Sequence, residues 1–161
     1  MKTRIMSGLG MLLTFFAPFD VDGQSAARLT GLQNEHLENP MGIDNPSPRL
    51  SWRMEDDRTG AKQLSYRLWV GSDSAAVANG HADMWDTGEV RSDDMLVVYG
   101  GKPLAPFTKY YWRVEGTDME EQLLLSPIAS FETGMMQVAN WQGAWIGDGK
   151  DMKHAPAPYF R

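Results

Sequence analysis

Apolar side chains recur at every second position along much of this chain, and that rhythm constrains the fold more than any other feature. Leu50, Trp52 and Met54 alternate with Ser51 and Arg53. Leu64, Tyr66, Leu68 and Val70 alternate with Ser65, Arg67 and Trp69. Tyr110, Trp112 and Val114 alternate with Lys109, Tyr111, Arg113 and Glu115. Successive side chains of a strand point to opposite faces, so each set supplies one buried stripe. Shorter strands are predicted over 28–33, 84–90, 95–99 and 128–133. Turn formers separate the runs: Asn39-Pro40, Asn45-Pro46, Pro48, Thr59-Gly60, Asn79-Gly80, Gly100-Gly101 and Thr117-Asp118. The only helical turn predicted covers 74–78. Parallel strands would need connecting helices, so the strands read as antiparallel. The expected fold is all-β, an antiparallel sandwich of about seven strands, with a barrel as the competing architecture.

Composition narrows the chemistry. The chain has 161 residues, one domain with a tail, and too few for a barrel enzyme of about 250 residues. Its net charge of -6 has the wrong sign for a nucleic-acid binder, which needs a basic footprint. It contains no cysteine, which removes thiol catalysis, disulfides and Cys-ligated metals. His36, His81 and His154 stand far apart in sequence and show no ligand spacing. No catalytic residue, metal ligand set or cofactor is therefore expected. Asp56-Asp57, Asp93-Asp94 and Glu120-Glu121 read as solvated turns, because adjacent residues on extended chain point apart. Asp44 reads as a cap for nearby backbone N–H groups in a proline-punctuated turn.

The two ends read differently from the middle. Lys2 and Arg4 precede a mostly apolar run from Ile5 to Phe19, with Val21 and Gly23 after it. A basic start, a short apolar stretch and a small-residue exit are the pattern of a secretory signal peptide, assigned to residues 1–23. The chain is then expected to be exported, into a bacterial periplasm or the medium, with no membrane contact after cleavage. The sandwich is assigned to 27–134. Residues 135–161, with Trp145-Ile146 inside them, read as a linker and the truncated start of a following β domain.

Two resemblances sharpen this picture. Leu104, Pro106, Thr108 and Tyr110 lead into an alternating strand as they do in fibronectin type III domains. The resemblance implies an immunoglobulin/fibronectin type III-like sandwich with Tyr110 in a tyrosine corner, its ring buried and its hydroxyl bonded to backbone just upstream. Trp52, Tyr66 and Trp112 are then structural core aromatics. The second resemblance runs through Leu37, Asn39-Pro40, Gly42-Ile43-Asp44, Pro46, Pro48 and Arg49-Leu50-Ser51-Trp52. It continues through Gln63, Tyr66-Arg67, Trp85-Asp86-Thr87-Gly88, Tyr99-Gly100, Tyr111-Trp112-Arg113-Val114 and Phe131-Glu132-Thr133-Gly134. This pattern resembles the N-terminal fibronectin-like module of bacterial α-L-rhamnosidases, glycoside hydrolases. It departs from the family at Met119 to Leu125, which leaves the turn before the last strand unassigned.

The second resemblance has asymmetric implications. The family hydrolyses terminal α-L-rhamnose with inversion in a helical barrel far downstream, using two carboxyl groups about 6.5–9.5 Å apart. That barrel is not in this sequence. The expected role is a non-catalytic accessory module that braces the downstream domains of a parent glycoside hydrolase. The alternative is a free-standing module that binds a carbohydrate, such as a rhamnose-containing glycan, or a protein. If Tyr66, Leu68, Tyr110 and Trp112 face the core, then Trp69, Tyr111, Arg67 and Arg113 share the opposite face. That face is the expected surface for domain docking or sugar stacking.

Overall fold

The computed structural model describes residues 27–144. The assignments made for residues 1–23 and for Trp145-Ile146 lie outside the described residues. Within them the chain forms β1 (Arg28–Asn34), β2 (Arg49–Glu55), β3 (Gln63–Gly71), α1 (Ser74–Ala78), β4 (Trp85–Asp86), β5 (Leu96–Val98), β6 (Lys109–Asp118), β7 (Leu123–Leu125) and β8 (Ala129–Glu132). Every paired strand is antiparallel to its neighbour. One sheet has the order β1-β2-β5. The other has β4-β3-β6, with β7 and β8 both on the far edge of β6. The architecture is the all-β sandwich that the alternation predicts.

The last strand comes in two pieces for a local reason. β7 pairs with Glu115–Thr117 and β8 with Lys109–Trp112. Between them, Ser126-Pro127-Ile128 leaves the ladder, and a proline has no N–H to give it. Ser126 closes the gap. Its Oγ accepts the Val114 N–H at 2.9 Å, and its own N–H donates to the Val114 carbonyl at 2.9 Å. The seven expected strands thus become eight segments.

The inner faces meet in one core of Leu29, Leu50, Trp52, Leu68, Val70, Tyr110, Trp112, Val114 and Phe131, with Tyr66 at its margin. Trp52 and Tyr66 meet edge to face, ring centres 5.2 Å apart. Tyr110 makes the expected corner: its hydroxyl oxygen accepts the Ala105 N–H at 2.9 Å while its ring is buried.

At the start of β3 the alternation misleads. Leu64 is expected inside but is 46% exposed. The register of β3 against β6 shifts between Gln63 and Ser65, which turns Gln63 inward in its place. Gln63 is buried and its hydrogen-bonding groups have partners. Its Oε1 accepts the Trp52 indole N–H at 2.9 Å, and its amide donates to the carbonyls of Ser92 and Asp94. The bulge therefore ties β2, β3 and the loop before β5 together.

Candidate docking surfaces

Two surfaces carry unusual side chains: the outer face of the larger sheet, and the pole where the chain leaves the sandwich. On the sheet, β3 and β6 pair so that Trp69 lies opposite Arg113, Arg67 opposite Glu115 and Gly71 opposite Tyr111. Arg67, Trp69, Tyr111 and Arg113 therefore do project from one face. They are not, however, the open aromatic patch expected. Trp69 is only 5% exposed. Asp73 caps α1 by accepting the Ala76 N–H at 2.6 Å, and the turn after α1 brings Gly80 up to the Trp69 ring. The helical turn predicted at 74–78 thus forms and acts as a lid on the very ring that alternation turns outward.

Both arginines are occupied inside the module. Arg67 makes a two-pronged pair with Asp86, at 2.9 and 2.7 Å, and lies 5.0 Å from the Trp69 ring centre. The Arg67 guanidinium, then desolvation against it, then the Gly88 N–H decide the Asp86 carboxyl, which ends below its usual range. Arg113 donates to the Ala78 carbonyl at 2.6 Å and so fastens α1 to the sheet. Tyr111 stays half-buried, with the Lys109 ammonium 5.6 Å from its ring centre. Beside these, Ser65, Tyr66, Arg67, Glu89, Glu115, Thr117 and Leu123 line a polar groove. The aromatic residue of its lining, Tyr66, is buried and not open for a sugar to stack on.

The exit pole is built from sequence-distant segments. Residues 40–43 run along the end of β8. Glu132 N–H donates to the Pro40 carbonyl, Ile43 N–H to the Glu132 carbonyl and Gly134 N–H to the Ile43 carbonyl, each at 2.9 Å. On the other side, Phe107 N–H donates to the Gly134 carbonyl at 2.9 Å. Asp44 then reaches over the strand end, where its Oδ1 accepts the Met136 N–H at 2.7 Å. The proline-rich turn does contain a capping carboxylate, but the N–H it caps belongs to the exit segment and not to its own turn. Asn39 acts likewise, accepting the Ser130 N–H at 2.8 Å. Gly134 is required here, since a Cβ on it would stand 2.5 Å from the Asp44 Oδ1.

The segments that make these bonds also carry exposed apolar residues: Met41 is 78% exposed, Phe107 63% and, four residues after Gly134, Val138 83%. Phe107 also holds a φ of 52°, a left-handed conformation that bulky residues rarely adopt.

Of the paired carboxylates, Asp57, Asp93, Asp94, Glu120 and Glu121 are exposed as expected, whereas the Asp56 side chain is buried. Arg58 bridges Asp56, Asp118 and Glu120, and the Asp56 and Asp118 side chains are buried. Burial pushes the Asp118 carboxyl up, but bonds from Arg58 and from the Gln122 and Glu120 N–H groups prevail and hold it low. Among the described residues, no group of His, Asp and Glu is placed to hold a metal ion.

The family model that matches residues 29–137 is described as the Rha78A-like, N-terminal immunoglobulin domain. The chain belongs to this family. An α-L-rhamnosidase of Streptomyces avermitilis is 38% identical over 135 residues, which are 83% of this chain and 13% of that protein. One from Formosa agariphila is 29% identical, over 84% of this chain and 15% of its own. The solved Streptomyces avermitilis α-L-rhamnosidase complexed with L-rhamnose superposes with a TM-score of 0.70 at 37% identity, covering 76% of this chain and 12% of that one. The α-L-rhamnosidase from Dictyoglumus thermophilum gives 0.69 at 34%, covering 71% and 13%. The chain spans about one eighth of the length of these relatives and corresponds to their N-terminal immunoglobulin-like domain.

Proposed function

We propose that this immunoglobulin-like domain is a non-catalytic accessory module of an exported α-L-rhamnosidase-like glycoside hydrolase, and that it fixes the direction in which the downstream domains leave it. The clamp at the exit pole carries the reading. Two segments from different parts of the sequence, residues 40–44 and the stretch at Phe107, hold the chain at residues 132–136. The clamp continues past the last paired residue of β8, Glu132, to the point where the chain leaves the sandwich. Hydrolysis, with inversion, belongs to carboxyl groups of the downstream domains.

The test uses the purified chain together with the Streptomyces avermitilis α-L-rhamnosidase shortened by its N-terminal domain. The chain alone does not release the aryl group from an aryl α-L-rhamnoside. Added to the shortened enzyme, it raises that enzyme's thermal midpoint, because binding only the folded form stabilises it. Turnover by the chain alone, or an unchanged midpoint, overturns the reading. Saturable binding of rhamnose-containing glycans without any effect on the enzyme supports the carbohydrate-binding alternative in its place.

A further inference from the structure

We propose that the apolar collar around the exit pole, formed by Met41, Phe107 and Val138, is the seat of the domain next after this module in an α-L-rhamnosidase polypeptide. The proposal rests on the accessory role and names its contact surface.

Position is the first argument. Residues 41–43 and Phe107 flank the same strand end at Gly134 from opposite sides. Strand neighbours lie about 4.8 Å apart, so the two flanks stand about 10 Å from each other. Val138 comes only four residues after Gly134. A domain that begins soon after residue 137 starts beside this strand end. The family match ends at residue 137, at this collar, while the relatives continue for most of their length.

The second argument is conformational. Phe107 sits at a φ of 52° and is 63% exposed. Glycine would take that backbone without strain, and a polar residue would solvate better. The Phe107 N–H serves the clamp, but most of the residue is left in water. Buried aromatics dominate the energetics of protein contacts, so a partner surface would repay both costs. Other exposed aliphatic residues, such as Leu96 and Val98 on β5 or Leu123 and Leu125 on β7, lie on sheet edges and not at the exit.

The experiment titrates the full 161-residue chain into the shortened Streptomyces avermitilis enzyme and measures association by calorimetry. The double variant Met41→Ser/Phe107→Ser weakens association by about tenfold or more, as loss of an aromatic anchor does. Its own thermal midpoint does not fall, since both side chains are exposed. The double variant Arg67→Ser/Tyr111→Ser, on the sheet face, associates as the unaltered chain does. Unchanged association of the collar variant overturns the proposal. If the sheet-face variant alone loses association, the accessory reading survives and its seat moves to that face. If the unaltered chain does not associate at all, both fall.

Discussion

At the residue scale, Tyr110 and Gln63 show how a buried polar atom fixes a geometry that apolar packing leaves loose. The Tyr110 ring fills the core, and its hydroxyl oxygen gives the Ala105 N–H an acceptor. Tyr110→Phe keeps the packing and strands that N–H. It is expected to lower stability by about 1–2 kcal/mol, seen in urea as a lower midpoint with an unchanged slope. Gln63 offers a sharper comparison. Alternation alone would bury Leu64 and expose Gln63, but the bulge does the reverse. Gln63→Leu strands the buried Trp52 indole N–H and is expected to cost about 1–3 kcal/mol. Leu64→Ala is expected to change stability by less than about 0.5 kcal/mol. Denaturant unfolding of both decides, and the reverse order would mean that the simple alternation describes β3 after all.

At the element scale, single charged residues organise the connections. Glu35 holds the proline-punctuated approach to β2. Its carboxylate accepts the Arg49 N–H at 2.7 Å, the Arg49 guanidinium and the Asn45 amide. The Arg49 side chain and then its backbone N–H lower the Glu35 carboxyl from 4.5 to about 2. A depressed carboxyl contributes stability above its ordinary value and loses it as acid protonates the folded form. The stability gap between the unaltered chain and Glu35→Gln is therefore full above pH 4.5 and closes as pH falls toward about 2. Thermal midpoints across that window check it, and a constant gap would exclude the assignment. Arg58 has a similar office for the β2–β3 connection and the end of β6. Arg58→Ala leaves the buried Asp56 and Asp118 carboxylates without their shared cation. It should lower the thermal midpoint well beyond Arg28→Ala, whose pair with Glu55 is exposed and contributes little. Equal shifts for the two variants would place Arg58 among ordinary surface ion pairs.

For the whole molecule, legibility in the sequence depends on the distance over which each feature is decided. The sandwich is readable because alternation and turn residues act locally, and so are α1 and the Tyr110 corner. The lid over Trp69 is not, because outward projection from a sheet says nothing about which segment folds back across it. The exit clamp is equally hidden: Asp44 and Met136 lie 92 residues apart, and Asn39 and Ser130 lie 91 apart. A capping aspartate can be recognised from its turn, but its partner is set only when the two sheets close. The clamp also makes a prediction that core stability does not share. Asp44→Ala removes the acceptor of the Met136 N–H, and Gly134→Ala drives a Cβ against the same carboxylate. Each should speed amide exchange across 134–136 by about tenfold or more through local opening, with global unfolding protection nearly intact. Exchange at Trp112 and Val114, deep in the core, should stay slow. If 134–136 exchange at the original rate in both variants, the exit is held by sandwich closure alone. If core amides quicken in step, the contacts stabilise the fold and do not specifically aim the chain. Selective loosening of the exit is the outcome that separates a domain built to direct its successor from one that merely precedes it.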